Sequence, residues 1–315
     1  MSRDFQHTLA SFYGTPWCIL PSKLSEIHAV LLARIARHGE PIDHDAKFSA
    51  GPRGSSGDDK PFDQVGAVAV IGIRGTIMPR TSMMSNFSGG TSAEQIGRAV
   101  EMAASDASVK SILLDIDSPG GAVYGIPEAA AKIAAARSVK RVVAVANPVA
   151  ASAAYWLAAQ AGEIVVTPSG QVGSVGIVAI HTDTSAADAK AGEKHTIISA
   201  GVHKAERAPY AALSESALAA WQADADQYYA MFIEAVAKGR GIAAGQVDET
   251  FGQGRMRLAA DAVKTGMADR VGTLQSVLQE LTNSAGAAPG GARYSAEAER
   301  RTRAVQFAEK GLATS

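Results

Sequence analysis

Residues 142–162 run for 21 positions without a charge, and whatever the chain folds into must first hide that stretch. It is long enough to cross a bilayer. Against a membrane span stand Asn147, Pro148, Ser152 and Gln160 within it, and the many weakly apolar alanines around them. A buried strand, a turn and a helix in succession account for the same residues better.

The alternation extends through the middle of the chain. Apolar runs at 67–73, 111–116, 142–146 and 164–167 read as strands. Between them lie a helix opened by the capping box Ser92-Ala-Glu-Gln95 and another beginning at Pro127, a residue suited to the first helical position. Strand and helix in turn imply βαβ units, an α/β fold and a largely parallel sheet. Ser214 is placed to cap a long helix running to Lys238 and ended by Gly239 and Gly241. Its apolar positions Leu218, Trp221, Ala225, Tyr228, Phe232 and Val236 are expected to pack on the sheet or on a neighbouring subunit.

Ahead of this region, Leu24, Ile27, Val30, Leu31 and Ile35 form one face of an amphipathic helix. Residues 44–61 are rich in Gly, Ser, Pro and charge and read as a linker, as do residues 283–293, which precede a charged tail. The expected division is an N-terminal helical segment with its linker over 1–62, one large domain over 63–282, and a loosely structured tail over 283–315.

Composition narrows the function. Thirty Lys plus Arg against 31 Asp plus Glu leave a formal charge of -1, which gives no reason to expect bulk binding to nucleic acid or to an anionic membrane. Cys18 is the only cysteine, so no internal disulfide forms and a reducing compartment fits. The N-terminus lacks the basic start and apolar stretch of a secretory signal, so the expectation is a cytoplasmic protein, not a secreted one. The few histidines show no paired metal-ligand spacing, and no phosphate-binding glycine-lysine motif occurs; neither metal nor nucleotide is expected.

Two places look built for chemistry. Asp117-Ser-Pro-Gly-Gly121 closes a strand, and two glycines after a proline leave unobstructed N–H groups at a strand end, as an oxyanion requires. Ser152 lies at the start of the helix after the next strand, at the carboxyl edge of the sheet, where open parallel sheets place their sites. Free helix N-terminal N–H groups lie beside it. A plain helix cap is the competing reading of this serine. A nucleophilic serine also needs a base. His181 with Asp183 would complete a Ser-His-Asp set. Lys204 is the other candidate: its neighbours are small and apolar, the setting in which desolvation makes an amine give up its proton.

In order along the chain, the strand ending in DSPGG, then NPVAASAAYWLAA, GQVGSVGI and SAGVHKAERAP resemble the serine-lysine peptidases that include signal peptide peptidase A and the head maturation proteases of tailed phages. The resemblance covers residues 65–272, and the 52 positions from Ser152 to Lys204 are the spacing found there between nucleophile and base. It implies the twisted spiral of ββα units of the Clp protease and crotonase fold. It makes Ser152 the nucleophile, Lys204 the general base, and Gly121 with the N–H of Ala153 the oxyanion hole, with Gly120 supporting the turn. Ser174 is implied to orient the lysine. Ala161-Gly162-Glu163 and Met267-Ala268-Asp269 depart from the usual pattern without touching these residues.

The leading GTPWCILPSKLSEIHAVLL resembles the segment before the protease core in the phage branch, and no anchor helix is evident. The implied activity is serine endopeptidase cleavage through an acyl-enzyme. The implied substrates are scaffold, capsid or portal proteins, cut by a ring-like homo-oligomer in the host cytoplasm or prohead. Some members draw serine and lysine from adjacent subunits. The rival readings are a signal-peptide-peptidase-like enzyme degrading peptides, a crotonase-like acyl-thioester enzyme using the same backbone oxyanion hole, and a non-catalytic shell protein that keeps the fold.

Overall fold

The structure, a computed structural model, describes residues 12–36, 60–80 and 90–284. The expected tail from 285 onward and the linker at 44–61, apart from its last two residues, lie outside the described residues.

Strand β1 (Trp17–Ile19) and helix α1 (Pro21–Ala36) come first, followed by β2 (Asp63–Val65), β3 (Val68–Arg74), β4 (Ile77–Met78), β5 (Thr91–Ser92) and α2 (Ala93–Ser105). Then follow β6 (Ser111–Ser118), β7 (Gly120–Ala122), α3 (Ile126–Val139), β8 (Arg141–Ala151), α4 (Ala153–Ala158), β9 (Glu163–Val166) and β10 (Gln171–Gly173). The remaining elements are α5 (Ser185–Ala191), α6 (Glu215–Arg240), α7 (Ala244–Thr250), β11 (Met256–Leu258), α8 (Ala259–Lys264), β12 (Arg270–Val271) and α9 (Leu274–Ser284).

The main sheet runs β11-β10-β8-β6-β3-β2, with β9 also on β8 and β12 on β9; β3, β6, β8 and β9 are parallel. A smaller sheet runs β1-β7-β4-β5. Twice, a long strand of the main sheet leads into a short strand of the small sheet and returns through a helix: β3-β4-α2, then β6-β7-α3. This is the ββα unit that the resemblance implies.

Both faces of the main sheet are covered, which is why its strands read as continuous apolar runs. Ile112, Leu114 and Ile116 of β6 and Val142, Ala144 and Ala146 of β8 join the core beneath α2, α3 and α4. The alternate residues Leu113, Val143 and Val145 pack with Val277 and Leu281 of α9. The serine half of the capping box forms: Ser92 Oγ accepts from the Gln95 N–H at 3.3 Å. Ser214 likewise accepts from the Ala217 N–H, and Gly241 ends α6 in the left-handed conformation.

Two expectations need correction. β8 does not stop at Asn147 but continues through Pro148 to Ala151, because its last residues leave β9 and pair with β10. Helix α6 does not end at Gly239. There a Cβ would lie 2.1 Å from the Ala159 carbonyl oxygen, so this glycine is a packing contact inside the helix. Only the second half of α6 packs into the core, through Phe232, Ile233 and Val236; Leu218 is 57% exposed. The charge-free stretch resolves into β8, one turn and α4, and among the described residues no helix is long and apolar enough to cross a membrane.

At the N-terminus, Leu24, Ile27 and Leu31 of α1 are buried with Phe12, Trp17 and Ile19, while Val30 is exposed and the side chain of Ile35 lies outside the described residues.

Candidate active site

Ser152 ends β8 and precedes α4 with φ 54° and ψ −118°. A side chain at positive φ costs about 1–3 kcal/mol unless its surroundings impose it. Here they do. The Ser152 N–H donates to the Gly173 carbonyl at 2.7 Å, and its own carbonyl accepts from the Trp156 N–H at 2.9 Å. Every residue of α4 is buried. Trp156 stacks on Phe232 with centroids 4.6 Å apart, and Tyr155 donates through its hydroxyl to the Met267 carbonyl at 3.0 Å. The alanines allow this close packing and the aromatics anchor it. Ser152 makes no side-chain capping bond, so the helix-cap reading of its hydroxyl falls.

The Gly-Gly turn faces this serine. A Cβ on Gly120, whose φ is +100°, would lie 2.9 Å from the Ser152 Cβ and 2.2 Å from the Cys18 carbonyl oxygen. One on Gly121 would fall 1.8 Å from the Ile77 carbonyl oxygen. Both glycines are therefore demanded by close approach. Ser118 holds the turn from behind, donating to the Gly75 carbonyl at 2.6 Å and accepting from the Gly120 N–H at 3.2 Å. Ala153 opens α4, so its N–H is among those a helix leaves unsatisfied from within.

Ser174 is buried, has φ 55°, and follows Gly173, the residue paired with Ala151. The register thus sets it beside the nucleophile turn. Its hydroxyl takes no hydrogen bond among the described residues.

The candidate bases are not gathered at Ser152. Lys204 is exposed within 192–204, a stretch exposed throughout. Its N–H donates to the Gly201 carbonyl, and its amine meets no hydrogen-bond or ion-pair partner among the described residues. His181 Nε2 is hydrogen-bonded to the Ala211 carbonyl at 3.0 Å, and Asp183 accepts from the Ser185 N–H. The Ser-His-Asp set is thus not assembled within this subunit.

What does meet Ser152 is Cys18. Ser152 Oγ donates to Cys18 Sγ at 3.1 Å, and the two residues are 1% and 0% exposed. Burial pushes the Cys18 thiol up to about 12, against the opposing pull of the Ser152 hydrogen bond. Sequence reasoning used this cysteine only to judge redox compartment; no local signal assigns it a partner 134 positions away.

Deeper in the sheet, the Arg74 guanidinium donates to Asp115, and burial raises the Asp117 carboxyl above its ordinary value despite the opposing charge of Arg74. Asp188, Glu193 and His195 bring possible metal-ligand atoms within 4.8 Å of one another at the surface, in a cluster that shares no residue with the serine site.

Comparison with known proteins adds context. Residues 134–288 match the family described as peptidase family S49, a region that holds Ser152, Ser174 and Lys204 but begins after the Gly-Gly turn. The chain is 33% identical over 222 residues to the capsid assembly protease C of Escherichia phage lambda, covering 69% of this chain and 50% of that protein. It is 28% identical over 284 residues to the head-tail preconnector protein GP5 of Enterobacteria phage P21, covering 86% and 56%. The chain thus spans about half the length of these curated relatives. Among solved structures, the 1510-N membrane-bound stomatin-specific protease in complex with a substrate peptide aligns with a TM-score of 0.44 at 18% identity, over 67% of this chain and 78% of that one.

Proposed function

We propose that this chain, whose residues 134–288 match peptidase family S49, is a serine endopeptidase in which Ser152 is the nucleophile and Lys204 of an adjacent subunit is the base. The observation that carries the reading is Ser152 itself: a serine held at positive φ, free of any capping role, against two glycines that no larger residue can replace. A strained strand-to-helix turn that presents an oxygen is the geometry of an activated nucleophile.

In the reaction, uncharged Lys204 takes the proton of Ser152 as Oγ attacks the substrate carbonyl carbon. The carbonyl oxygen gains negative charge and is held by the N–H groups of Gly121 and Ala153. The peptide C–N bond breaks, the departing amine receives the proton from the lysine, and an ester to Ser152 remains. Water then loses a proton to the lysine and attacks the ester; as the acyl–oxygen bond breaks the lysine returns that proton to Ser152 Oγ, and the new carboxyl end is released. The hydroxyl of Ser174 orients the amine.

The two-subunit arrangement is supported by the surroundings of Lys204. Ile198 is 95% exposed and Val202 94% exposed, an apolar flank that a neighbouring copy of the chain would cover. Covering it would also desolvate the amine. A ring-like homo-oligomer presents each such segment to the next subunit. The phage relatives favour a role in head maturation, with scaffold, capsid or portal proteins as substrates.

The test is hydrolysis of a co-produced capsid or scaffold protein, followed by mass spectrometry, with Ser152→Ala as the control. Cuts present with the unsubstituted chain and absent with Ser152→Ala are expected. Cleavage that persists in Ser152→Ala, or turnover of acyl-thioesters in place of peptides, would overturn the reading.

A further inference from the structure

The segment that buries Ser152 is paired along both of its edges. On one side the N–H of Trp17 donates to the Val178 carbonyl and the Val178 N–H returns the bond to Trp17, both at 2.8 Å. On the other, β1 runs antiparallel to β7 with Cys18 opposite Gly121. The Leu20 N–H donates to the Pro119 carbonyl at 2.9 Å and the Val123 N–H to the Pro16 carbonyl at 3.0 Å. In an antiparallel ladder hydrogen-bonded pairs recur at every second residue. The pairs 20/119 and 16/123 therefore make 18/121 the bonded pair between them, and the Gly121 N–H donates to the Cys18 carbonyl. That N–H is the donor assigned above to the oxyanion. The Cys18 side chain meanwhile touches Ser152 Oγ. An extended peptide held on both edges, with one carbonyl on the oxyanion donor and the same residue's side chain against the nucleophile, is how a peptide is held for cleavage.

We propose that residues 16–20 occupy the substrate channel of this site as a built-in plug. Cys18 stands where the residue before the cleaved bond would stand. The peptides admitted when the plug leaves are extended strands with a small side chain at that position. This inference rests on the peptidase reading. Its size limit follows from the complete burial of Cys18, whose side chain ends against Ser152 Oγ. The anchor of the plug is a cluster apart from the main core: Phe12, Trp17 and Ile19 packed on Leu24, Ile27 and Met78. Cys18 alone of these residues packs into the main core, and β1 is the edge strand of the small sheet, so the segment can leave without opening the main sheet.

Cys18 is the chain's only thiol, and a neutral buried thiol reacts slowly with maleimide, so its reactivity reports release of the plug. The experiment uses the full-length assembled chain, its Cys18→Arg and Cys18→Ala variants, and a small fluorophosphonate that labels Ser152. Arginine does not fit beside Ser152, so Cys18→Arg is expected to label about ten-fold faster than the unsubstituted chain, as the open fraction rises; Cys18→Ala is expected to label slowly.

If Cys18→Arg does not fold, the unsubstituted chain decides. A peptidyl phosphonate with alanine before the reactive group should label Ser152 and, by expelling the plug, make Cys18 reactive. Equal labelling of all three proteins, or a Ser152-labelled chain whose Cys18 stays protected, would overturn the plug while leaving the peptidase reading intact. No labelling of Ser152 in any of them would overturn the peptidase reading, and the plug with it.

Discussion

Ser152 and Lys204 sit in opposite kinds of structure. The turn around Ser152 is over-determined: a paired strand before it, a wholly buried helix after it, and two glycines pressed against it. The stretch before Lys204 is exposed from 192 onward and held by local bonds, and its apolar residues Ile198 and Val202 face solvent. On the proposed reading, the difference teaches that one subunit prepares a nucleophile at the expense of strain and leaves the base to be placed by assembly. Positioned but unused strain is expected where a site is completed by a second component.

That contrast can be broken or sharpened by substitution. The largest effect is on catalysis. Ser152→Ala and Lys204→Ala should each lower peptide hydrolysis by about 10⁴-fold or more, since members of a catalytic set fail as a unit. The two should nevertheless differ in stability. Lys204→Ala, on an exposed segment, should stay within about 0.5 kcal/mol of the unsubstituted chain in denaturant unfolding. A lysine variant that unfolds the protein would contradict the assignment of its segment to assembly.

Next comes Gly121→Ala. A methyl 1.8 Å from the Ile77 carbonyl oxygen has no rotamer to escape into, so a loss above about 3 kcal/mol is expected, visible as a fall in the urea midpoint. Of similar size is Arg240→Ala. It removes the buried charge that offsets Asp269, whose carboxylate lies 2.7 Å from the guanidinium with both side chains under a tenth exposed and keeps the Ile164 N–H, at a cost of about 3–5 kcal/mol. Both changes strike the over-determined side of the molecule.

Ile198→Ser with Val202→Ser strikes the other side. It should leave the unfolding midpoint nearly unchanged while weakening self-association in sedimentation and lowering activity in parallel. The smallest effect concerns acid. Burial pushes the Glu163 carboxyl up, but hydrogen bonds from Arg270 and Arg141 outweigh it and hold the group below its ordinary value. The folded state thus favours the ionised form. Its stabilising contribution is complete above the ordinary carboxylate range and drains away as pH falls through the lowered value. Glu163→Gln should cost about 1–3 kcal/mol at neutral pH, and the gap to the unsubstituted chain should narrow as pH falls below the ordinary carboxylate range.

Much of the over-determined side was legible in the sequence because its signals are local. The Gly-Gly turn, the capping serines at 92 and 214, the core strands and the serine at the sheet's carboxyl edge each follow from a few neighbouring residues. What escaped was long-range. Pro148 looks like the end of a strand until β10 supplies a second partner. Gly239 looks like a stop until Ala159 approaches it. Ser118 looks like part of a turn and in fact bridges two loops. Cys18 carried no signal at all, because its meaning lies in a strand register. Lys204 was found by resemblance and spacing, and no local pattern indicates which subunit's serine it serves.

The central claim, a nucleophile from one subunit and a base from the next, is tested most directly by mixing Ser152→Ala and Lys204→Ala proteins and following peptide hydrolysis. Each is inactive alone. In equal, randomly mixed rings about one site in four joins an intact serine to an intact lysine, so about a quarter of the unsubstituted rate should return. Mixed assemblies that form normally, confirmed by sedimentation, and yet stay inactive would contradict it.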